Sequence, residues 1–267
     1  MKANLSGRVA YVSGAAAGIG ASIAQIFAEQ GASVVIGDVQ TECGEAVAAR
    51  LRERDGKAIF VRHDVSDEAQ WEAVLARAIK EFGGLDILVN NAGIEQTCLL
   101  ADVELADIQR LLTVNVTGVI LGHKYAIRAM RPGGLAGKGG SIINLSSVAG
   151  LIGTPALGVY SASKGAVRLL SKAAAVECGR LGYGIRVNSI HPGLVDTDMG
   201  NKLVDDFVQL GVFADRDAAL RQMLETYPLG RTGVPGDIAN AALFLASEMS
   251  GWITGTEIVV DGGMTIS

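Results

Sequence analysis

A chain of 267 residues with a net charge of −5 carries no block of basic residues, which argues against nucleic-acid binding. Its three cysteines, Cys43, Cys98 and Cys178, are odd in number and widely spaced, which indicates neither a disulfide framework nor a zinc site. No uncharged run is long enough to span a bilayer, and no signal-peptide pattern precedes the first predicted strand. We therefore expect a cytoplasmic protein without a bound metal, a nucleic-acid partner or a membrane partner.

Short apolar runs alternate with helical patterns along the chain. In chain order the pattern predicts a strand at 8–13, a helix at 19–30, a strand at 33–38, a helix at 42–54, a strand at 57–63, a helix at 67–82, a strand at 85–90, a helical stretch at 104–130, a strand at 141–145, a helix at 160–180 and strands at 185–190 and 257–260. The strands are continuously apolar, as in strands buried on both faces. This alternation predicts an α/β fold, a Rossmann-like doubly wound parallel sheet with helices on both faces.

Two segments interrupt the alternation. Residues 131–140 include five glycines and are expected to form a flexible surface loop. Residues 198–227 have helical periodicity and follow a strand, where an insertion is typical of a substrate lid. No repeat or linker divides the chain, so we interpret residues 1–267 as a single domain with a lid insertion at about 198–227.

The first predicted strand runs into a glycine-rich segment that begins a helix, Ser13-Gly14-Ala15-Ala16-Ala17-Gly18-Ile19-Gly20. Glycines in this position allow a tight turn and a close approach to a pyrophosphate, which the helix N-terminus also attracts. Asp38 ends the second strand, where a carboxylate accepts hydrogen bonds from the adenosine ribose and repels a 2′-phosphate. Since no Arg or Lys stands at 15–17 or 39–40, the sequence favours NAD over NADP. The alternative is that Asp38 is only a turn or cap residue.

Tyr160 and Lys164 are four residues apart on a predicted helix and therefore share one face. A tyrosine hydroxyl has a reference pKa of about 10, and a neighbouring ammonium lowers it toward the range of a useful base. Ser147 ends a strand thirteen residues before Tyr160, where its hydroxyl could hold a substrate oxygen whose charge changes. The spacing of tyrosine and lysine alone also fits an ordinary amphipathic helix.

Together these residues closely resemble the short-chain dehydrogenase/reductase family in its compact single-domain form. The resemblance covers nearly the whole chain. It rests on Gly14-x-x-x-Gly18-Ile19-Gly20, Asp64-Val65, Asn90-Asn91-Ala92-Gly93, Asn115, Ser147, Tyr160, Lys164, Pro192-Gly193-Leu194-Val195-Asp196-Thr197, Ile253-Thr254-Gly255 and Asp261-Gly262-Gly263. Ser13 is a departure, because the family usually has threonine there, but the hydroxyl is kept.

The resemblance implies a role for each matching residue. Tyr160 is expected to be the base in oxidation and the acid in reduction, and Lys164 to lower its pKa and bind the nicotinamide ribose. Ser147 is expected to stabilise the reacting oxygen, and Asn115 to hold a water that links Lys164 to solvent. The other expected cofactor contacts are Gly14, Gly18, Ile19, Gly20, Asp38, Asp64, Val65, Asn91, Gly93, Val195 and Thr197. Two alternatives remain open: Asn115 could cap a helix irregularity, and Thr197 could cap the lid helix.

The residues expected around the substrate are mostly apolar, which favours a bulky hydrophobic secondary alcohol or ketone. They are Ile94, Val148, Ala149, Leu151, Leu157, Leu194 and Met199, with Leu203, Phe207, Val208, Leu210 and Phe213 from the lid, although some of these could merely pack the lid onto the domain. The overall pattern is similar to that of bacterial hydroxysteroid and cyclic-alcohol dehydrogenases. The polar neighbours Glu95 and Gln96 leave a sugar or polyol open.

Two other functions are weighed against this one. A 3-oxoacyl-carrier-protein reductase is disfavoured by Asp38 and by the absence of Arg and Lys at 173–178, because such enzymes commonly prefer NADP and bind an acidic carrier. An NAD-binding scaffold without turnover is disfavoured by the intact set of Ser147, Tyr160 and Lys164. Members of the family are usually tetramers, so the resemblance also implies a homotetramer.

Overall fold

The computed structural model describes residues 3–267, and its strands follow the continuous apolar runs of the sequence. The strands are β1 (Val9–Ser13), β2 (Ser33–Asp38), β3 (Lys57–Arg62), β4 (Ile87–Asn90), β5 (Gly140–Leu145), β6 (Ile185–Pro192) and β7 (Glu257–Val260). They form one parallel sheet of seven strands in the order β3-β2-β1-β4-β5-β6-β7. The central strands β1 and β4 are buried throughout, as strands covered on both faces must be.

Helices cover both faces of the sheet. They are α1 (Gly18–Glu29), α2 (Thr41–Glu53), α3 (Glu68–Phe82), α4 (Leu105–Leu112), α5 (Gly118–Met130), α6 (Gly158–Arg180), α7 (Asp198–Gln209), α8 (Arg216–Glu225) and α9 (Pro235–Ala246). One apolar core packs α1, α2 and α9 on the sheet, and a second packs α3, α5 and α6. The predicted doubly wound fold is thereby confirmed.

The helices differ from the predictions in two places. The stretch predicted at 104–130 is helical from Leu105 to Met130, but a π-helical turn, Thr113–Thr117, separates α4 from α5. Helix α9 was not predicted at all, although Pro235 stands at its start, where the missing N–H costs nothing. Most other predicted bounds differ from the observed ones by one or two residues, which is the usual scatter at element ends.

Residues 198–227 contain the helices α7 and α8. The side chain of Thr197 caps α7 by accepting a hydrogen bond from Gly200 N, and that of Asp215 caps α8 by accepting one from Ala218 N. The Phe207 ring in α7 meets the Phe213 ring edge-on at a centroid distance of 6.0 Å. This packing gives the insertion a small apolar core of its own against the sheet domain.

The strand order reverses between β1 and β4, because the chain runs from β1 through β2 to β3 at one edge of the sheet and then crosses back to place β4 on the other side of β1. In open α/β sheets, ligands bind outside the carboxyl ends of the strands at such a point. Within residues 3–267, none of the helices is both long enough and apolar enough to cross a membrane. The expectation of no leader depends partly on Met1 and Lys2, which lie outside the described residues.

Candidate active site

A cavity of about 610 Å³ crosses the carboxyl ends of the strands at this switch point. One end lies between the glycine-rich loop and Asp38, and the other end lies beneath α7. Its size is that of a small-molecule site. The predicted site residues converge on it: Gly14, Gly18, Ile19, Asp38, Asp64, Val65, Asn91, Gly93, Ser147, Tyr160, Lys164, Val195 and Thr197 all line it. Two predicted residues, Gly20 and Asn115, do not.

The glycine-rich loop is shaped by close backbone approach. Gly14 has φ +62°, and a Cβ placed there would lie 2.7 Å from Ala92 Cα. A Cβ on Gly20 would lie 2.2 Å from Gly14 O, so Gly20 serves the packing of α1 on the loop rather than the cavity wall. Helix α1 begins at Gly18 without a side-chain cap and without an acidic residue in its first turn. Its free N–H groups at the cavity therefore suit a pyrophosphate.

A hydrogen-bond set ties this loop to the end of β4. Ser13 Oγ donates to Val89 O and accepts from the backbone N–H groups of Asn91 and Ala92, both at 3.1 Å. The Asn91 amide donates to Ser13 O at 3.0 Å and to Gly14 O at 2.8 Å. The serine hydroxyl thus bridges β1 and β4 at the switch point and holds both walls of the cavity in register.

Asp38 lies at the end of β2 and is buried. Its carboxylate accepts hydrogen bonds from Ala16 N and Gln40 N, each at 3.0 Å. These contacts fix the carboxylate at the cavity wall, where its remaining lone pairs suit ribose hydroxyl donors. Together with the uncapped α1 and the glycines, Asp38 makes this end of the cavity fit a dinucleotide.

The segment that follows β3 adds polar groups to the cavity wall. Asp64 Oδ1 accepts from Ser66 N and Ser66 Oγ, and these hydrogen bonds lower the pKa of Asp64. His63 also lines the cavity, a position that the sequence analysis did not assign. Its Nδ1 is hydrogen-bonded to the Tyr11 hydroxyl, and burial lowers its pKa to about 4. The imidazole is therefore neutral at pH 7.

Tyr160 and Lys164 project from one face of α6, opposite the end of β5. Lys164 is buried; its Nζ donates to Leu145 O at 2.8 Å and lies 5.5 Å from the centroid of the Tyr160 ring. Ser147 follows β5 and caps the short helical turn Val148–Gly150 by accepting from Ala149 N at 3.1 Å. The sheet and α6 thus bring the three side chains to one end of the cavity.

The electrostatics of this trio differ from the sequence expectation. Burial raises the pKa of Tyr160 to about 12, with the Ser147 hydroxyl acting in the opposite direction. Burial also lowers the pKa of Lys164 to about 8. Loss of hydration sets the direction of this shift, so these residues alone do not produce the lowering of the tyrosine pKa that the sequence predicts. A further positive charge beside the phenol is needed to favour its ionised form.

Asn115 lies in the π-helical turn and acts on the backbone of the cavity wall. Its Oδ1 accepts from Ile94 N and its Nδ2 donates to Ile94 O, both at 2.8 Å. The same Nδ2 is 3.2 Å from Ser163 Oγ on α6. The side chain therefore joins the loop after β4 to α6, the helix of Tyr160. π-Helical turns are frequent at functional sites.

The substrate end of the cavity is mainly apolar, as predicted. Eight predicted residues line it: Ile94, Val148, Ala149, Leu157, Leu194, Met199, Leu203 and Phe207. Four do not line it: Leu151, Val208, Leu210 and Phe213, of which Phe213 packs against Phe207 instead. Sequence reasoning missed Thr154, Met223, Thr226, Tyr227 and Met264. Three of these residues lie within 198–227, the predicted lid. Helical periodicity predicts that this segment is helical but not which of its side chains face the cavity.

Comparison with known proteins agrees with this architecture. Residues 14–265 match the family model described as enoyl-(acyl carrier protein) reductase. A 3-alpha-(or 20-beta)-hydroxysteroid dehydrogenase of Mycobacterium tuberculosis is 44% identical over 98% of this chain and 91% of its own. An NADP-dependent (R)-specific alcohol dehydrogenase of Lentilactobacillus kefiri is 42% identical over 99% of each chain.

Further likeness extends to a ring-diol enzyme and to a solved structure. The 2,5-dichloro-2,5-cyclohexadiene-1,4-diol dehydrogenase of Sphingobium indicum is 40% identical over 100% of this chain and 99% of its own. The crystal structure of a short-chain type dehydrogenase/reductase from Mycobacterium marinum has a TM-score of 0.88 and 37% identity, covering 99% of this chain and 98% of that one. The protein therefore belongs to the short-chain dehydrogenase/reductase family, oxidoreductases that use nicotinamide cofactors.

Proposed function

We propose that this protein interconverts a hydrophobic cyclic, aryl or steroid-like secondary alcohol and its ketone with NAD as the cofactor. The observation that carries the proposal is the convergence of Ser147, Tyr160 and Lys164 at the apolar end of one cavity whose other end is formed by Asp38. A dehydrogenase needs these two ends to be continuous, because the nicotinamide and the alcohol must meet.

When bound, the nicotinamide ring supplies the hydride acceptor in oxidation and the donor in reduction, and its positive charge in the oxidised form favours the phenolate. Tyr160 removes the hydroxyl proton of the alcohol in oxidation and returns it in reduction. Ser147 holds the reacting oxygen by a hydrogen bond while charge develops on it. Lys164 holds the nicotinamide ribose and lies beside the tyrosine ring.

Asn115 is a positioning residue in this scheme. Its two hydrogen bonds to Ile94 hold the loop that faces Tyr160, and its contact with Ser163 Oγ reaches the helix that carries Lys164. A water held near this amide would pass the proton between Lys164 and solvent. Val195 and Thr197 are proposed to hold the carboxamide of the nicotinamide, because both line the cavity; Thr197 also caps α7.

The preference for NAD over NADP rests on Asp38. Its buried carboxylate is held by two backbone N–H groups and would repel a 2′-phosphate. The alcohol dehydrogenase of Lentilactobacillus kefiri, at 42% identity, is named as NADP-dependent. We therefore base the choice of NAD for this chain on its own Asp38 and not on this relative.

The apolar wall supports a hydrophobic substrate, and relatives named for hydroxysteroids and for a cyclohexadiene diol support the same class. Helices α7 and α8 are proposed to act as the lid, because Leu203, Phe207 and Met223 cover the cavity from that side. A homotetramer is also proposed, since α6 leaves Leu169 and Val176 exposed and Trp252 near β7 is fully exposed. Sedimentation that shows only monomer at micromolar concentration would contradict the tetramer.

The proposed function is tested by the absorbance of reduced nicotinamide, which appears when an alcohol is oxidised and disappears when a thioester is reduced. Cyclic and steroid secondary alcohols, an acyclic polyol and a sugar are offered with NAD⁺ or NADP⁺, and a 3-oxoacyl thioester is offered with NADH or NADPH. The proposal predicts the highest kcat/KM for a hydrophobic cyclic alcohol with NAD⁺. Turnover confined to the thioester with NADPH would overturn it.

A further inference from the structure

The carboxylate of Glu95 lies in the loop after β4 and lines the cavity, yet the proposed reaction makes no use of it. Thr97 Oγ1 donates to Glu95 Oε1 at 2.6 Å. The other oxygen, Oε2, is buried and receives no hydrogen bond from any residue between 3 and 267. A buried acceptor without a donor costs free energy, so a ligand that brings a donor to Oε2 would gain affinity there.

The backbone around Glu95 is held on both sides. Ile94 N donates to Asn115 Oδ1 at 2.8 Å, and Cys98 N donates to Ala156 O at 2.7 Å. Cys98 also forms an isolated parallel bridge with Leu157, which itself lines the cavity. Since the loop is anchored to the π-helical turn and to the segment before α6, Glu95 is preorganised at the cavity wall.

Three charged or titratable groups lie close enough to Glu95 to interact with it. Glu95 and Tyr160 line the same cavity, and the carboxylate charge contributes to the raised pKa of Tyr160. Lys202 and Asp206 of α7 face it from the lid, but they form an ion pair with each other. Burial raises the pKa of Glu95 itself, with the Thr97 hydrogen bond acting in the opposite direction. A substrate hydroxyl suits this site in either protonation state of the carboxyl group, because it donates to an ionised Oε2 and accepts from a protonated one.

We propose that Glu95 binds a second hydroxyl group of the substrate through Oε2, so that the enzyme prefers a cyclic diol or hydroxyketone to the corresponding mono-alcohol or ketone. The inference rests on the proposed function, because it takes the reacting hydroxyl to lie at Tyr160. Leu203, Phe207 and Met223, which also line the cavity, are apolar and would hold the carbon ring. Glu95 thereby orients a ring that the apolar wall alone would leave free to rotate.

The test compares cyclohexanol with cyclohexane-1,2-, -1,3- and -1,4-diol as substrates with NAD⁺. The wild type should show a kcat/KM for at least one diol that is roughly 10- to 100-fold above that for cyclohexanol, as one hydrogen bond to a charged group provides. Glu95→Met should bring this ratio close to one, mainly through a higher KM for the diol. Gln96→Met is the matched control and should keep the ratio, because Gln96 does not line the cavity.

Three results would overturn the inference. An equal loss on cyclohexanol and diol in Glu95→Met would show a structural role and would leave the proposed function standing. If Lys202→Met lowers the diol-to-cyclohexanol ratio of kcat/KM as much as Glu95→Met does, Glu95 acts by binding Lys202 and not by binding a substrate hydroxyl. A wild type that oxidises none of the four alcohols and no other secondary alcohol overturns both proposals. If Glu95→Met does not fold, Glu95→Gln replaces it and should lower the ratio less, because its amide oxygen is a weaker acceptor.

Discussion

The two ends of the cavity are built in different ways. At the cofactor end, backbone groups and short side chains from β1, β2 and β4 are joined by hydrogen bonds such as those of Ser13 and Asp38. At the substrate end, side chains of α7 and α8 pack against the domain through an apolar cluster that includes Phe207. The first arrangement leaves little freedom for change, because a Cβ at Gly14 or Gly20 would meet backbone atoms. The second can accept different side chains while the chemistry stays the same.

Tyr160 marks the meeting point of the two ends, and its removal should have the largest effect. Tyr160→Phe should lower kcat by roughly 10²- to 10⁴-fold, because the proton no longer has an acceptor. NADH binding, measured by fluorescence titration, should be nearly unchanged. Tyr125→Phe is the matched control, since Tyr125 lies outside the cavity. Substantial turnover by Tyr160→Phe would contradict the role of Tyr160 as the proton acceptor.

At the cofactor end, the buried His63 should make stability depend on pH. Its folded pKa of about 4 lies below the reference value of 6.5, so the unfolded state binds more protons between these values. Protonation of His63 should therefore leave the free energy of unfolding unchanged above pH 6.5. It should lower this free energy by about 3 kcal/mol as the pH drops to 4. Urea unfolding across this range should show a weaker pH dependence for His63→Gln than for the wild type. Identical slopes for the two proteins would contradict a neutral, buried His63.

Asp38 tests whether the cofactor end sets the choice of dinucleotide. Asp38→Asn should lower kcat/KM for NAD⁺ by about 10- to 100-fold, because charge-assisted hydrogen bonds to the ribose are lost. The same change should raise kcat/KM for NADP⁺, since the repulsion of the 2′-phosphate is removed. Asp102→Asn serves as the control, because Asp102 is exposed and lies outside the cavity. If the ratio of kcat/KM for NAD⁺ to that for NADP⁺ is the same in Asp38→Asn and in the wild type, Asp38 does not select the cofactor.

The substrate end should show the smallest effect, confined to one ligand. Leu203→Ala removes apolar surface from the cavity wall and should raise KM for a hydrophobic cyclic alcohol by about 3- to 10-fold. The dissociation constant for NADH should not change. Leu210→Ala is the matched control near the end of the same helix, because Leu210 is exposed and does not line the cavity. A larger effect on NADH than on the alcohol would contradict the division between the two ends.

This division also explains what the sequence could predict. The glycine-rich loop, Asp38 and the pair Tyr160–Lys164 depend on spacing within one turn or one strand–helix unit, so local patterns identify them. Asn115 depends on a contact with Ile94, 21 residues away, across a π-helical turn that helical periodicity does not reveal. The raised pKa of Tyr160 depends on burial by several elements at once, which a motif does not report.

The substrate wall was predictable in composition but not in orientation. Leu203 and Phe207 line the cavity whereas Val208 and Phe213, from the same predicted segment, do not. The apolar residues of α7 form one broad face of the helix, and packing against the domain decides which of them reach the cavity. The unpaired oxygen of Glu95 could be found only once the hydrogen bonds of its neighbours were known.

The central claim is that this site transfers hydride between the carbinol carbon of a secondary alcohol and NAD. The most direct test uses cyclohexanol or a diol deuterated at the carbinol carbon, with NAD⁺, and mass spectrometry and NMR of the reduced cofactor. The account predicts one deuterium at C4 of the nicotinamide with the wild type, and almost none formed by Tyr160→Phe in the same time. Reduced cofactor without deuterium, or no reduced cofactor with any secondary alcohol, would contradict it.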